Sequence, residues 1–276
     1  MFSTQPSWIK ALDSKFKICC KTLTNFRICY NALKVLILRS RVRRSKMNEF
    51  LDDLMGVIGS PGPTIGKVMT KKRWLAIFII ILLTTAMATY LSYPVTKVEG
   101  AKLIRDSEMA NKLSEEQLAN LDKFTPTQRF IGALTQLPLA ALMILMGAFF
   151  VYLFSKVAGA EGNFSHYFSG VVHASLLDMF LGGIIKATLI SIKKTMFVHT
   201  GLTMLFPALD FRSMPFLILS QFDFFSIWYL LALALGIAYF AKISPQKSIT
   251  IVVMYFLFKS LVFISFSYFS MKLMGM

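Results

Sequence analysis

The stretch Phe222 to Ser248, FDFFSIWYLLALALGIAYFAKISPQKS, reads as a membrane-spanning helix with both ends marked. Asp223 stands at its head, eighteen uncharged residues run from Phe224 to Ala241, and a basic turn follows from Lys242 to Lys247. At about 1.5 Å per residue the run is roughly 27 Å long, close to the apolar thickness of a bilayer. Asp223 is placed to cap the helix start. Lys242 suits the negative end of the helix dipole.

The rest of the chain agrees with a membrane setting. Of its 276 residues 55% are hydrophobic and 14% aromatic, against 16% charged. That balance predicts an all-α, polytopic membrane bundle and argues against a soluble or disordered chain. A net charge of +16 would suit nucleic acid, but residues 1–46 carry eleven Lys and Arg against Asp13 alone, leaving +6 for the remainder. A basic end before a first span is what the positive-inside rule expects. Anionic lipid headgroups are sufficient partners for it, and no nucleic acid is needed.

Further spans follow on either side. Lys71, Lys72, Arg73 and Trp74 form a basic-aromatic anchor at the membrane interface, and Leu75 to Thr96 is uncharged. Together the apolar runs predict five spans at about 75–96, 130–155, 168–191, 224–241 and 249–271. This topology puts the N-terminus in the cytoplasm and the C-terminus outside it. Between the first two spans, Lys97 to Arg129 holds six basic and six acidic residues, and Ser114 with Gln117 is spaced as a capping box. The paired Glu115 and Glu116 lie outside any apolar run and read as a solvated helix face. Met196 to Gln221 is apolar but broken by Gly201, Pro207, Asp210, Arg212 and Pro215, so it reads as interfacial or re-entrant.

Ahead of the spans lie two further pieces. Residues 1–46 form a basic tail that holds Cys19, Cys20 and Cys29, and Met47 is an alternative natural start. Three cysteines there give neither a disulfide framework nor a thiolate metal site in the membrane part. Residues 47–73 read as a cytoplasmic amphipathic or interfacial segment, with Phe50, Leu51, Leu54, Met55 and Ile58 on one helical face. Within it GPTIGK approaches a phosphate-binding loop. Its spacing is one residue short, and Val68 stands where magnesium needs Ser or Thr.

Two charges fall mid-span, Asp178 in the third and Lys259 in the fifth. Each alone costs about 3 kcal/mol or more at the bilayer centre, and both lie at roughly the same depth, about 15 to 16 Å. They are therefore expected to form an ion pair joining spans three and five. Lys186, about 12 Å beyond Asp178 along the axis, is expected to snorkel outward. The competing reading is a proton or ion pathway through His173, Asp178 and Lys259. His166 and His199 lack acid or thiol neighbours at ligand spacing, so no metal site is assigned. Hydrolase, metalloprotease and nucleotide fingerprints are absent, so no catalytic residue and no cofactor is assigned. Ala232 with Gly236, Ala234 with Ala238 and Gly183 with Ala187 are spaced as helix-packing seams.

The run from Asp223 through Trp228 to Gly236 and the Lys242-Ile-Ser turn resembles the Yip family of five-span membrane proteins. The bacterial branch of that family shows an acid, aromatics, a Leu-rich run, a Gly and a short polar turn. VAGAEGNFSHYFSGVVHAS, from Val157, resembles that branch's Gly-rich turn and following helix, and Phe50 to Trp74 fits its start. The resemblance covers about Met47 to Met276, with residues 74–276 as the five-helix domain. It implies a non-enzymatic protein of the bacterial inner membrane that organises membranes or recruits a protein partner or a second copy. The DLYGP-type motif of the eukaryotic members, named for Ypt/Rab GTPases, is absent. The alternative is a small transporter, or a transporter subunit, that uses Asp178.

Overall fold

The computed structural model describes residues 48–273. The basic tail, its cysteines and the alternative start at Met47 lie outside the described residues. The chain divides into two compact units, Met1–Asp52 and Asp53–Met276. In the first, residues 48–52 are helical. The second holds the five apolar helices, and no strand occurs among its described residues.

The spans are α3 (Leu75–Arg105), α5 (Pro126–Val157), α6 (Phe164–Lys193), α8 (Phe224–Ala241) and α9 (Pro245–Leu273). They are preceded by α1 (residues 53–59) and α2 (Pro61–Lys71), and joined by the shorter α4 (Glu115–Asn120) and α7 (Met214–Leu219). α3 runs past the expected end near residue 96, with Pro94 inside it. In an apolar setting backbone bonding is worth too much to abandon, so the helix absorbs the proline. α4 and α5 each begin with a reciprocal capping box, Ser114 with Gln117 and Thr125 with Gln128.

α6 is not uniform. Phe164–Ser175 and Gly183–Lys193 are α-helical, but Leu176–Gly182 between them is a π-helix holding Asp178. The wider π turn shifts the helical phase, so residues beyond it leave the face that a 3.6-residue period assigns them.

Residues 53–71, expected at the interface, form a helical hairpin packed into the bundle. Ser60 and Pro61 make its tip, and the arms meet where Gly56 faces Thr64. α2 then runs alongside α8 in the same direction, with Gly62 against Leu235, Gly236 against Ile65, and Gly66 against Tyr239. Gly62 therefore lies six residues inside the end of α8, about 9 Å deep. On its other side α2 meets α6, where Gly170 faces Met69 and the Ser169 hydroxyl donates to the Val68 carbonyl at 2.9 Å. Ile65, Val68 and Met69 are fully buried. The four-residue spacing of Gly62 and Gly66, which had brushed against a phosphate loop, is a helix-packing seam.

The spans pair by size as well as polarity. α9 lies against α5, where Gly147 leaves room for the Tyr255 hydroxyl and Phe150 meets Phe258 at 4.2 Å between ring centres. α8 and α9 form an antiparallel pair joined by the turn at residues 242–244, and the buried Ser248 hydroxyl donates to the Ala234 carbonyl across it. α2, α6 and α8 end in lysines with left-handed backbone, Lys72, Lys194 and Lys242. Glycine would adopt that conformation at less cost, so charge at the helix ends outweighs backbone ease.

Candidate functional site

The polar groups inside the bundle gather along α8 and along the hairpin. At the head of α8, Asp223 caps the helix through the Phe225 and Ser226 amides, at 3.0 and 3.4 Å. Its other oxygen accepts from the Thr200 hydroxyl. The backbone beside it is pinned by a bridge to Gly201, where a side chain would meet the Asp223 Cα at 2.8 Å. Lys186 then approaches from α6, its Nζ 3.2 Å from Asp223 Oδ1. One buried carboxylate thus ties the 200–201 loop, α6 and α8 together. Lys186, expected to reach outward, ends on Asp223 at the head of α8.

One turn deeper, the Ser226 hydroxyl donates to Asp178 Oδ2 at 3.2 Å. The buried phenols of Tyr229 and Tyr255 lie within electrostatic reach of the same carboxylate. Asp178 and Lys259 are not brought together, and no ion pair joins them among the described residues. An equal residue count along two helices does not make them neighbours. The π segment that carries Asp178 packs on α8 and α3, whereas α9 packs on α8 and α5.

A second polar group lies in the hairpin. Lys67 Nζ meets the Asp53 carboxylate at 2.7 Å, and Asp53 is only 4% exposed. His173, buried on α6, bonds the Ser169 carbonyl through Nδ1 at 2.8 Å and feels the Asp53 charge. It does not face Asp178, so the expected His173-Asp178-Lys259 pathway is not assembled. His166 accepts the Asn163 amide through Nδ1 at 3.0 Å, which makes it part of the α6 cap.

The remaining anticipated residues are structural in their contacts. Trp228 packs on Phe224, and Gly236 receives Ile65. Lys71, Lys72 and Arg73 are exposed between α2 and α3, where Trp74 packs edge-on against Phe168 at 5.0 Å. Sequence reasoning missed the hairpin and the Asp223–Lys186 pair. The Gly62-x-x-x-Gly66 spacing was the available signal for the first.

The loops beyond α3 and α6 are also tied. Glu99 accepts from the Met196 amide and from the Thr195 hydroxyl. Arg105 bonds Asp122 at 2.9 Å and holds that carboxyl below its usual range. His199 packs on Phe216, and burial lowers its pKa, so it stays neutral near pH 7. No three acid, His or Cys side chains converge as metal ligands among the described residues.

A family model, the Yip1 domain, matches residues 55–267. The chain belongs to the Yip1 domain family. No curated protein and no solved structure matches it. The Yip1 match takes in the hairpin from residue 55, the first four spans and the fifth as far as residue 267, so the α2–α8 seam falls inside the family's own extent. In this Yip1 protein Asp223, Ser226 and Gly236 lie on one helix, which meets the hairpin on one side and α6 on another.

Proposed function

We propose that this Yip1 protein is a non-enzymatic organiser of the bacterial inner membrane, recruiting partners at its basic end. The observation that carries this reading is the employment of its intramembrane carboxylates. Asp223 is taken up by a helix cap, a hydroxyl and Lys186, and Asp178 by a hydroxyl from the adjoining helix. Both serve helix-to-helix contacts. The groove beside α8 is lined by apolar side chains and includes neither acid.

The end where α2 and α8 finish carries exposed Lys71, Lys72, Arg73, Lys156, Lys242 and Lys247, with the exposed Glu161 beside them. Such an excess belongs in the cytoplasm. On this reading the N-terminus lies inside and the C-terminus outside.

Two experiments test the proposal. Single cysteines replacing Lys112 and Lys247, with the three native cysteines removed, are treated with a membrane-impermeant maleimide in intact cells. Lys112→Cys is expected to label at once and Lys247→Cys only after permeabilisation, and the reverse order overturns the orientation. Asp178→Asn in reconstituted vesicles is expected to leave proton and cation leak rates unchanged. A flux that vanishes with Asp178→Asn at normal protein level would establish transport instead.

A further inference from the structure

Between α8 and α9 lies a groove of about 270 Å³, and every side chain lining it is apolar. Its floor is Leu230, Ala234 and Val252, all buried, and its rims are Leu231 and Val253, about half exposed. Phe256 closes one end against Phe222, their ring centres 5.4 Å apart. The Ser248 to Ala234 hydrogen bond closes the other. Leu230 and Ala234, like Val252 and Phe256, stand one helical turn apart, so the groove runs lengthwise along the spans. It therefore opens sideways at bilayer depth, where hydrocarbon is the solvent.

Charge marks one mouth. Just beyond the Ser248 contact, the α8–α9 turn is flanked by Lys242 and Lys247, both exposed and without an ion pair among the described residues. Lys242 sits in a left-handed conformation that a glycine would hold more cheaply. An apolar slot and two cations at one end match an acyl chain and an anionic headgroup.

We infer that the α8–α9 groove is a binding site for an anionic phospholipid, one acyl chain in the slot and its phosphate group at Lys242 and Lys247. A lipid held there covers the seam between the two helices and widens the contact that α8 makes with the bilayer. The inference rests on the proposed orientation only for which leaflet donates the lipid, and the maleimide experiment reads that separately.

The test is native mass spectrometry of the full-length chain, delipidated in detergent and titrated with phosphatidylglycerol or phosphatidylcholine of identical acyl chains. Wild type is expected to retain phosphatidylglycerol at about thirtyfold lower lipid concentration, since each of the two lysines near a headgroup is worth about 1 kcal/mol. Lys242→Gln with Lys247→Gln is expected to abolish that preference while phosphatidylcholine binding persists. Ala234→Phe fills the floor and is expected to lose both lipids, whereas Leu83→Phe, on the exposed face of α3, changes neither. Equal retention of the two lipids by wild type, or an unchanged preference in the double lysine variant, overturns the site. Both lysines are exposed, so their variant decides the question even where Ala234→Phe fails to accumulate. Efficient cross-linking between copies through Leu231→Cys would show that a second chain fills the groove, and would equally overturn it.

Discussion

Gly236→Ala is expected to destabilise the protein by about 2 kcal/mol, within the range for overpacking a well-filled contact. In an open helix the same change would stabilise by nearly 1 kcal/mol, because alanine restricts the unfolded chain and favours the helix. Here the added carbon would lie 2.6 Å from the Ile65 Cβ, with backbone close behind at the Gly66 amide. The clash therefore outweighs the propensity gain. Trimming the neighbour reverses the balance. In an Ile65→Ala background, Gly236→Ala is expected to be neutral or stabilising, and the coupling is read from thermal midpoints of the four purified proteins. Equal effects of Gly236→Ala in both backgrounds would falsify the α2–α8 contact. Loss of that contact frees the hairpin, so protease sensitivity between residues 53 and 71 should rise together with the loss of stability.

Asp223→Ala is expected to cost about 3 kcal/mol, more than any other single change among the ionisable residues. Roughly 1 kcal/mol of this is the lost helix cap. The larger part is the cost of leaving Lys186 partly buried without its counter-charge. Lys186→Met is expected to cost less, because Asp223 keeps two amides and the Thr200 hydroxyl. Lys186→Met combined with Asp223→Asn should recover part of the loss, since asparagine still caps a helix and no lone charge remains. Thermal unfolding in detergent with membrane abundance measures the series. Equal losses in Asp223→Ala and Lys186→Met, with no recovery in the combination, would show that the ion pair is not the source of the effect.

The two predictions also show what could be read from sequence. The five apolar helices and the cap at Asp223 were legible, because length, uncharged runs and a residue's place at a helix head are one-dimensional properties. Asp178 and Lys259 had been matched by residue count alone. Which helix stands beside which is an azimuthal property, and the π segment at Leu176–Gly182 shifts the phase of α6 where it matters most. Asp178 thus turns to Ser226 on α8, and Lys186 reaches Asp223. The hairpin was hidden for a different reason. Helix α2 is only eleven residues long and too polar overall for a span, so hydropathy placed it at the surface. Its burial depends on glycines that hydropathy scales scarcely weigh.

The seam between α2 and α8 has a consequence for the order of assembly during synthesis. Gly66 leaves the ribosome well before Gly236 exists, and at about 5–20 residues per second the interval is about 10–30 s. Through that interval the first three spans must already be in the bilayer while residues 53–71 wait for the helix they will pack on. The hairpin is thus among the earliest segments made and among the last to reach its final place. A ribosome stalled after α6 would hold a chain whose first helices have α6 beside them but still lack α8.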